Sequence, residues 1–420
     1  MFRPSFDSTR YRAFGRNLAL DLVVAAGVGV TLAVVTSLLP TIARRGGLEP
    51  IGLAALGAAP FIANLLGAFA GRWGPRTPRG LSMVRGLGAA SLVIILVLPI
   101  APVMIVVATI FWLSLSFGGP LHLRLWGVMY PARARGRVLG FTGMCKAAAT
   151  AGAALVGGIL ADHLGGPPVV AIAGVVGAGC AVGYALFHAE AAGIPPAFSA
   201  REAVRALRER PVLARLALAQ GFYGGGLIAA APLFALVHVD RLGLSLAQVG
   251  VIGILNALAT TVAFPIWGAV TDRRGGLVGM RIGGLLGVVS LIGYAVAPDV
   301  SVLYVAAILG GIAGASIDVG IGAMVSDQTT LANRAPAMAG WNALTGARGI
   351  VAAFAMSALV QLGVVDVGVG LLLCAGVSLV GVGMFVRTRP GVSVETRAWE
   401  VTGMTSSATP ARRTATVAPG

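Results

Sequence analysis

Among the ionisable side chains inside the long apolar runs of this 420-residue chain, five are candidates for chemistry: Asp21, Arg124, Lys146, Asp318 and Arg348. A charge in the middle of an apolar layer costs ~2.5–3.5 kcal/mol on insertion scales, so each calls for a reason. Lys146 is the only lysine among 31 basic residues. A desolvated lysine can shed its proton near neutrality, whereas arginine cannot, so this position suits a group that must change charge. Asp318 is its natural opposite, a carboxylate that can take a proton or face a cation. Lys146 lies nine residues past Arg137 and Asp318 nine before Asp327, which is ~13.5 Å of helix in each case. Arg348, fourteen past Arg334, reaches up to ~21 Å.

Asp21, Arg124 and the remaining polar groups of the apolar runs are more ambiguous. Asp21 can bind a cation or proton, or can reach lipid headgroups near a helix end. His122 and Arg124 are two positions apart, so on a helix they point roughly 200° apart and at most one faces a given cavity. Arg124 is the better candidate; its alternative is bonding to phosphates or to the carbonyls of a neighbouring loop. Arg85 reads as a snorkelling side chain. Asn64 and Asn256 can bind solute or hold helices together, and Tyr223 and Trp341 can line a wall or simply pack.

Other chemistries are missing. No G-x-x-x-x-G-K-[ST] phosphate loop, H-E-x-x-H or C-x-x-C pair occurs, so neither ATP nor a metal is indicated. Gly177-Ala-Gly179 falls within an apolar helix, where glycine serves close packing rather than a dinucleotide. Cys145, Cys180 and Cys374 sit in apolar runs and read as small buried hydrophobes. No nucleophile–base constellation argues for an enzyme, and no cofactor is expected.

The chain is 57% apolar and 11% charged, whereas a soluble domain is about a quarter charged. Runs of about 20 apolar residues, the length of a membrane-crossing helix, recur twelve times, near 17–43, 48–71, 81–101, 103–129, 137–161, 168–188, 213–238, 246–271, 279–297, 301–326, 336–362 and 367–386. They are too long for barrel strands. The first is too long for the apolar core of a signal peptide and reads as an uncleaved anchor. Only Pro99–Pro102 divides the third run from the fourth, so that turn must be tight.

Arginine placement sets the orientation. With the N-terminus inside, the inner segments hold 23 basic residues and the outer loops hold three, Arg44, Arg45 and Arg241. Both termini are therefore expected in the cytoplasm, in an inner or plasma membrane. This asymmetry accounts for most of the net charge of +16 without nucleic acid as a partner. The expected plan is an N-terminal segment 1–16, a six-helix bundle 17–189, a linker 190–212, a second bundle 213–388 and a disordered tail 389–420. Arg201, Arg205 and Arg208 share one face of a short linker helix, which suits an anionic lipid surface or an ordinary solvated connection.

The two bundles are related by an internal repeat. Gly67-Ala-Phe-Ala-Gly71-Arg72-Trp73-Gly74 returns 201 positions later as Gly268-Ala-Val-Thr-Asp272-Arg273-Arg274-Gly275, and weaker echoes near Gly140 and Leu18 keep almost the same offset. At these residues the chain resembles the major facilitator superfamily of secondary transporters, whose G-x-x-x-D-R-x-G-R loop follows spans two and eight. Gly268, Asp272, Arg273 and Gly275 fit it. The first copy has Gly71 at the place of the acid but keeps Gly67, Arg72 and Gly74. The loop Tyr130-Pro131 to Gly136-Arg137 is similar to the family's P-x-x-x-R-G element. Neither the family's arginine early in span four nor the G-P-x-x-G-G of its drug antiporters is present.

The resemblance implies an all-α membrane protein of twelve transmembrane helices in two pseudo-symmetric bundles. It implies alternating access to a site near the membrane centre and a cytoplasmic gate at the two glycine–arginine loops. It also places spans five, ten and eleven on the cavity wall, so Lys146 and Asp318 are expected to pair when the site is empty. A small organic solute is expected, with a coupling proton or ion, lipid around the chain, and a monomer. The charge count leans weakly towards an anion. The rival readings are a proton-coupled exporter of hydrophobic or cationic drugs and a non-transporting membrane scaffold or sensor.

Overall fold

In the structure, a computed structural model, all twelve apolar runs are helices long enough to cross a membrane. It describes residues 8–67, 73–188, 202, 205, 209, 211–329 and 331–388, with the side chains of 8–13, 132, 133, 135, 136 and 331–336 left aside. Most of the linker helix expected around Arg201–Arg208, the tail from 389 on, Gly71 and Arg72 lie outside the described residues. Spans 1 to 6 are Phe14–Arg45, Pro50–Gly67, Pro78–Val97, Ala101–Met129, Arg137–Leu164 and Gly166–Ala185. Spans 7 to 12 are Pro211–Arg241, Leu246–Arg274, Gly276–Val296, Val300–Gln328, Ala337–Gln361 and Val367–Arg387. The boundaries fall within a few residues of those expected from hydropathy. The tight turn between spans 3 and 4 is three residues, Leu98 to Ile100.

Local sequence sets the helix starts. Thr77, Ser245, Asp299 and Asp366 each accept a backbone N–H of the first turn they precede, which satisfies donors that would otherwise have no partner. Gly165 and Gly275 adopt φ of +87° and +81° and let spans 5–6 and 8–9 reverse through a single residue, a conformation that a side chain would strain. This explains Gly275 of the repeated motif without reference to transport. Gly67 has a different reason, because a methyl there would lie 2.2 Å from Ser116 Oγ of span 4.

Packing repeats with the period of the sequence. Span 1 lies on spans 5 and 6, span 2 on 4, and span 3 on 4 and 6; shifting every number by six gives the contacts of the second bundle. The bundles meet through span 5 on span 8 and span 2 on span 11, themselves a pair related by the same shift. Small residues make these crossings close. A methyl added at Gly250 would lie 2.4 Å from the Ala154 carbonyl, and one at Gly346 2.7 Å from that of Phe61. Spans 1 and 7 each change to π-helix at equivalent places, Val34–Leu38 and Val237–Arg241, a rare geometry often found at functional positions.

Candidate solute site

Between the bundles lies a cavity of about 620 Å³, within the range of small-molecule sites. Spans 1, 2, 4 and 5 supply its first wall, including Val35, Ser37, Leu53, Leu56, Phe61 and Trp112. Spans 7 to 10 supply the second, including Gln220, Tyr223, His238, Asn256, Ser290, Tyr294 and Asp318. The first wall is largely apolar and aromatic, and the second carries most of the polar groups. Pro60 and Pro232, both inside helices, also line it.

One face of the cavity is closed by polar links between the bundles. The face opposite the chain termini, here the far face, carries Arg44, whose Nε donates to both oxygens of Asp240 at 3.2 and 2.9 Å. Arg45 donates to the Leu244 carbonyl and stands 3.8 Å from Asp162. Asp162, at the end of span 5, accepts the backbone N–H groups of Leu246 and Ala247 at 2.8 Å each, thereby capping span 8 from the other bundle. The equivalent pair repeats this in neutral form. Gln361, at the end of span 11, accepts the N–H of Ile51 at 2.9 Å and donates to Glu49 at 2.7 Å. Thr41 meets His238 at 3.3 Å just inside. These links between the bundles all lie on the far side, and Lys146 and Asp272 towards the terminal face are exposed.

The sequence-derived candidates separate into three groups. Asp318 is on the cavity wall and makes no hydrogen bond or ion pair among the described residues. Lys146 is close enough to act on it electrostatically but stands beyond the 4.0 Å of an ion pair. The pair expected in the empty site is therefore not made in this state. Thr150, one turn from Lys146, lines the cavity, so Lys146 lies on the same helix face where the bundles diverge.

Arg348, Arg124 and Asp21 stand outside the wall. Arg348 donates to the backbone carbonyl of Gln220 and so reaches the cavity only through that residue. Asp21 is 1% exposed and accepts from Trp126 and, at 3.3 Å, from Tyr130, while His122 lies 3.0 Å away. His122, Trp126 and Tyr130 recur every four residues on span 4, so one helix face surrounds the carboxylate. That burial removes the headgroup reading of Asp21. His122 points into this cluster, which turns Arg124 away from it; Arg124 is half-buried, with Nη1 lacking a partner. Arg85 does not snorkel. Its Nε is buried beside Gly118 and its guanidinium lies 6.0 Å from the Tyr184 ring centre.

Of the gate motif, Asp272 is exposed with no ion pair among the described residues, and Arg273 is exposed. Gly268 borders open space and Gly74 lies in a bend. Asn256 donates to the Ala307 carbonyl at 3.0 Å, which links spans 8 and 10, and also faces the cavity. Tyr223 lines the cavity. Sequence reasoning missed His238, Gln220, Trp112 and Asp162. An acid ending one span opposite a Ser-x-x-Gln start was the available signal for Asp162; nothing in the pattern distinguishes the others from packing residues.

The comparisons agree with this geometry. Residues 216–417 match the family model of the Major Facilitator Superfamily. The crystal structure of the nucleoside transporter NupG superposes with a TM-score of 0.68 at 14% identity, covering 90% of this chain and 98% of that one. A bacterial homologue of the lysosomal transporter Spinster, inward-facing and unoccupied, gives 0.64 at 14% identity, covering 89% and 94%. A POT family transporter in complex with 5-aminolevulinic acid gives 0.71 at 12% identity, covering 89% and 96%. No curated protein matches the sequence. The second bundle thus matches the family model of the Major Facilitator Superfamily, and the whole chain shares its fold with these solved transporters.

Proposed function

We propose that the chain is a secondary transporter that carries a small organic solute through the central cavity by alternating access. The observation that carries this reading is a cavity walled by both repeats, sealed by polar links on its far face, and holding a carboxylate unpaired among the described residues. The positive-inside count supports a cytoplasmic terminal face, and on that reading this state is inward-open. Both walls come from one chain, so a monomer suffices.

Lys146 and Asp318 are the proposed coupling pair. They approach each other when the terminal face closes, and a proton or the solute on Asp318 keeps them apart. Asp272 is the proposed latch of that closed state, where it would meet the start of span 5 near Gly136–Val138 and its partial positive charge. The charge count that leans towards an anion loses its basis at the wall, because Arg124 and Arg348 do not line it.

Uptake by proteoliposomes tests this reading. A melting-shift screen across anions, cations and neutral compounds supplies the solute, and Asp318→Asn and Lys146→Met are compared with the parent. The proposal expects saturable uptake, altered in rate or coupling by each variant. Wild-type rates and pH profiles in both variants would reject the pair. A compound that binds the cavity but is never moved would reject transport.

A further inference from the structure

We infer that the solute is an organic ammonium on an apolar, aromatic-sized body, with its charged head at Asp318 and its body against the first wall. This rests on the transporter reading above and names the substrate class of the same cavity. Among the described residues, Asp318 is the one carboxylate lining the cavity, and no lysine or arginine lines it. Its oxygens are unpaired among the described residues, so the wall presents a free anion in an apolar setting, where an opposite charge is favoured and a like charge strongly opposed.

Hydrogen-bonding capacity points the same way. Several wall donors are already engaged with backbone carbonyls. Ser290 donates to Ala306 at 2.7 Å, Asn256 Nδ2 to Ala307 at 3.0 Å, Thr36 to Leu32 at 2.7 Å and Thr150 to Lys146 at 2.8 Å. What they leave open are acceptors, the Asn256 amide oxygen and the Asp318 carboxylate, beside the amphoteric hydroxyls of Tyr223 and Tyr294. Trp112 Nε1, the Gln220 amide N–H₂, the Ser37 hydroxyl and the His238 ring remain as donors, and they include no lysine or arginine to balance a bound carboxylate or phosphate. An ammonium carries up to three donors and no acceptor, which complements this set.

The opposite wall suits the rest of the molecule. Val35, Leu53, Leu56, Phe61, Ala108 and Trp112 give an apolar surface with two aromatic rings, which favours burial of hydrocarbon and can also face a cation. Lys146 lowers the pull of Asp318 on any cation without occupying it. Removing the lysine charge should therefore strengthen amine binding.

The test uses the purified full chain and three probes that share one body: 1-naphthylmethylamine, 1-naphthylmethanol and 1-naphthoate, with affinities from calorimetry. The amine is expected to bind at least ten-fold tighter than the alcohol, and the acid weakest. Asp318→Asn should bring the amine down to the level of the alcohol, Asp318→Glu should restore most of the preference, and Lys146→Met should tighten the amine several-fold. Trp112→Leu should weaken all three alike. The acid binding as tightly as the amine, or an amine preference that survives in Asp318→Asn, would overturn the assignment. So would the absence of binding by all three in a chain whose cavity still opens to each face in turn, and that result would leave the transporter reading standing. Amine binding at Asp318 without any opening would instead leave the ligand class and remove transport.

Discussion

Replacing Asp162 by alanine should release the far face. In this state the carboxylate accepts two backbone N–H groups at the start of span 8, 2.8 Å each, and stands 3.8 Å from Arg45. Loss of a helix-capping acceptor costs ~0.5–2 kcal/mol, and loss of an anion at a helix N-terminus ~0.3–1 kcal/mol. Two facts favour the low end. The side chains of Arg45 and Asp162 are 38% and 27% exposed, so their ion pair adds little. Span 8 also keeps its own Ser245–Gln248 capping box, and water replaces Asp162 once the bundles part. About 1 kcal/mol remains, a roughly five-fold change in the ratio of sealed to open far face, since ~1.4 kcal/mol is tenfold. Spin labels at Leu164 and Leu362, both exposed and on opposite bundles, report that ratio once Cys145, Cys180 and Cys374 are replaced. A long-distance population that grows about five-fold in odds is expected. An unchanged distance distribution would refute the reasoning that the helix cap across the bundles holds this state.

Gln361→Ala, the neutral counterpart, should shift the same distribution less, and the double variant with Asp162→Ala should add within a few tenths of a kcal/mol, because the two caps share no partner. Gly250→Val should part spans 5 and 8 more strongly than either, since its Cβ would lie 2.4 Å from a backbone carbonyl that cannot rotate away; unaltered label distances would contradict this. Asp21→Ala strands Trp126, Tyr130 and His122 around an empty place, and breaking a buried partnership of this kind costs ~3–5 kcal/mol; a marked fall in melting temperature is expected, with solute affinity kept in the milder Asp21→Asn. Asp272→Asn should leave the stability of this state unchanged, because the side chain has no partner in it. It should instead lower the population closed at the terminal face, read as greater labelling of cavity cysteines from that side.

The helices were legible because the signals are local. Twenty-residue apolar runs, prolines in the first turn of spans 2, 3, 4, 6 and 7, and Thr77, Ser245, Asp299 and Asp366 at helix starts all act within a few residues of themselves. The offset of about 200 residues also anticipated which helices are equivalent. What hydropathy does not carry is the rotation of each helix about its axis. Depth alone put Arg348 and Arg124 with Asp318, yet Arg348 points at the span 7 backbone and Asp318 at open space. Asp21 shows the same limit, because its partners lie about a hundred residues away on span 4. The three arginines that the orientation count treats as exceptions proved informative. Arg44 and Arg45 join the bundles, and Arg241 donates to the last carbonyls of span 9, Tyr294 and Ala295. Their positions follow from a tertiary task that no composition rule contains.

The central claim is one cavity that opens to each face in turn. Its most direct test places single cysteines at Ser37 and Ala257, on opposite walls of the cavity, in sealed vesicles of known orientation, with a membrane-impermeant thiol reagent added to either side. With Cys145, Cys180 and Cys374 replaced and no other change, both positions should react from the terminal face and be protected from the far face. With Asp162→Ala and Gln361→Ala added, both should gain reactivity from the far face and lose it from the terminal face in parallel. Labelling from both faces at once, or a change at one wall without the other, would contradict the account.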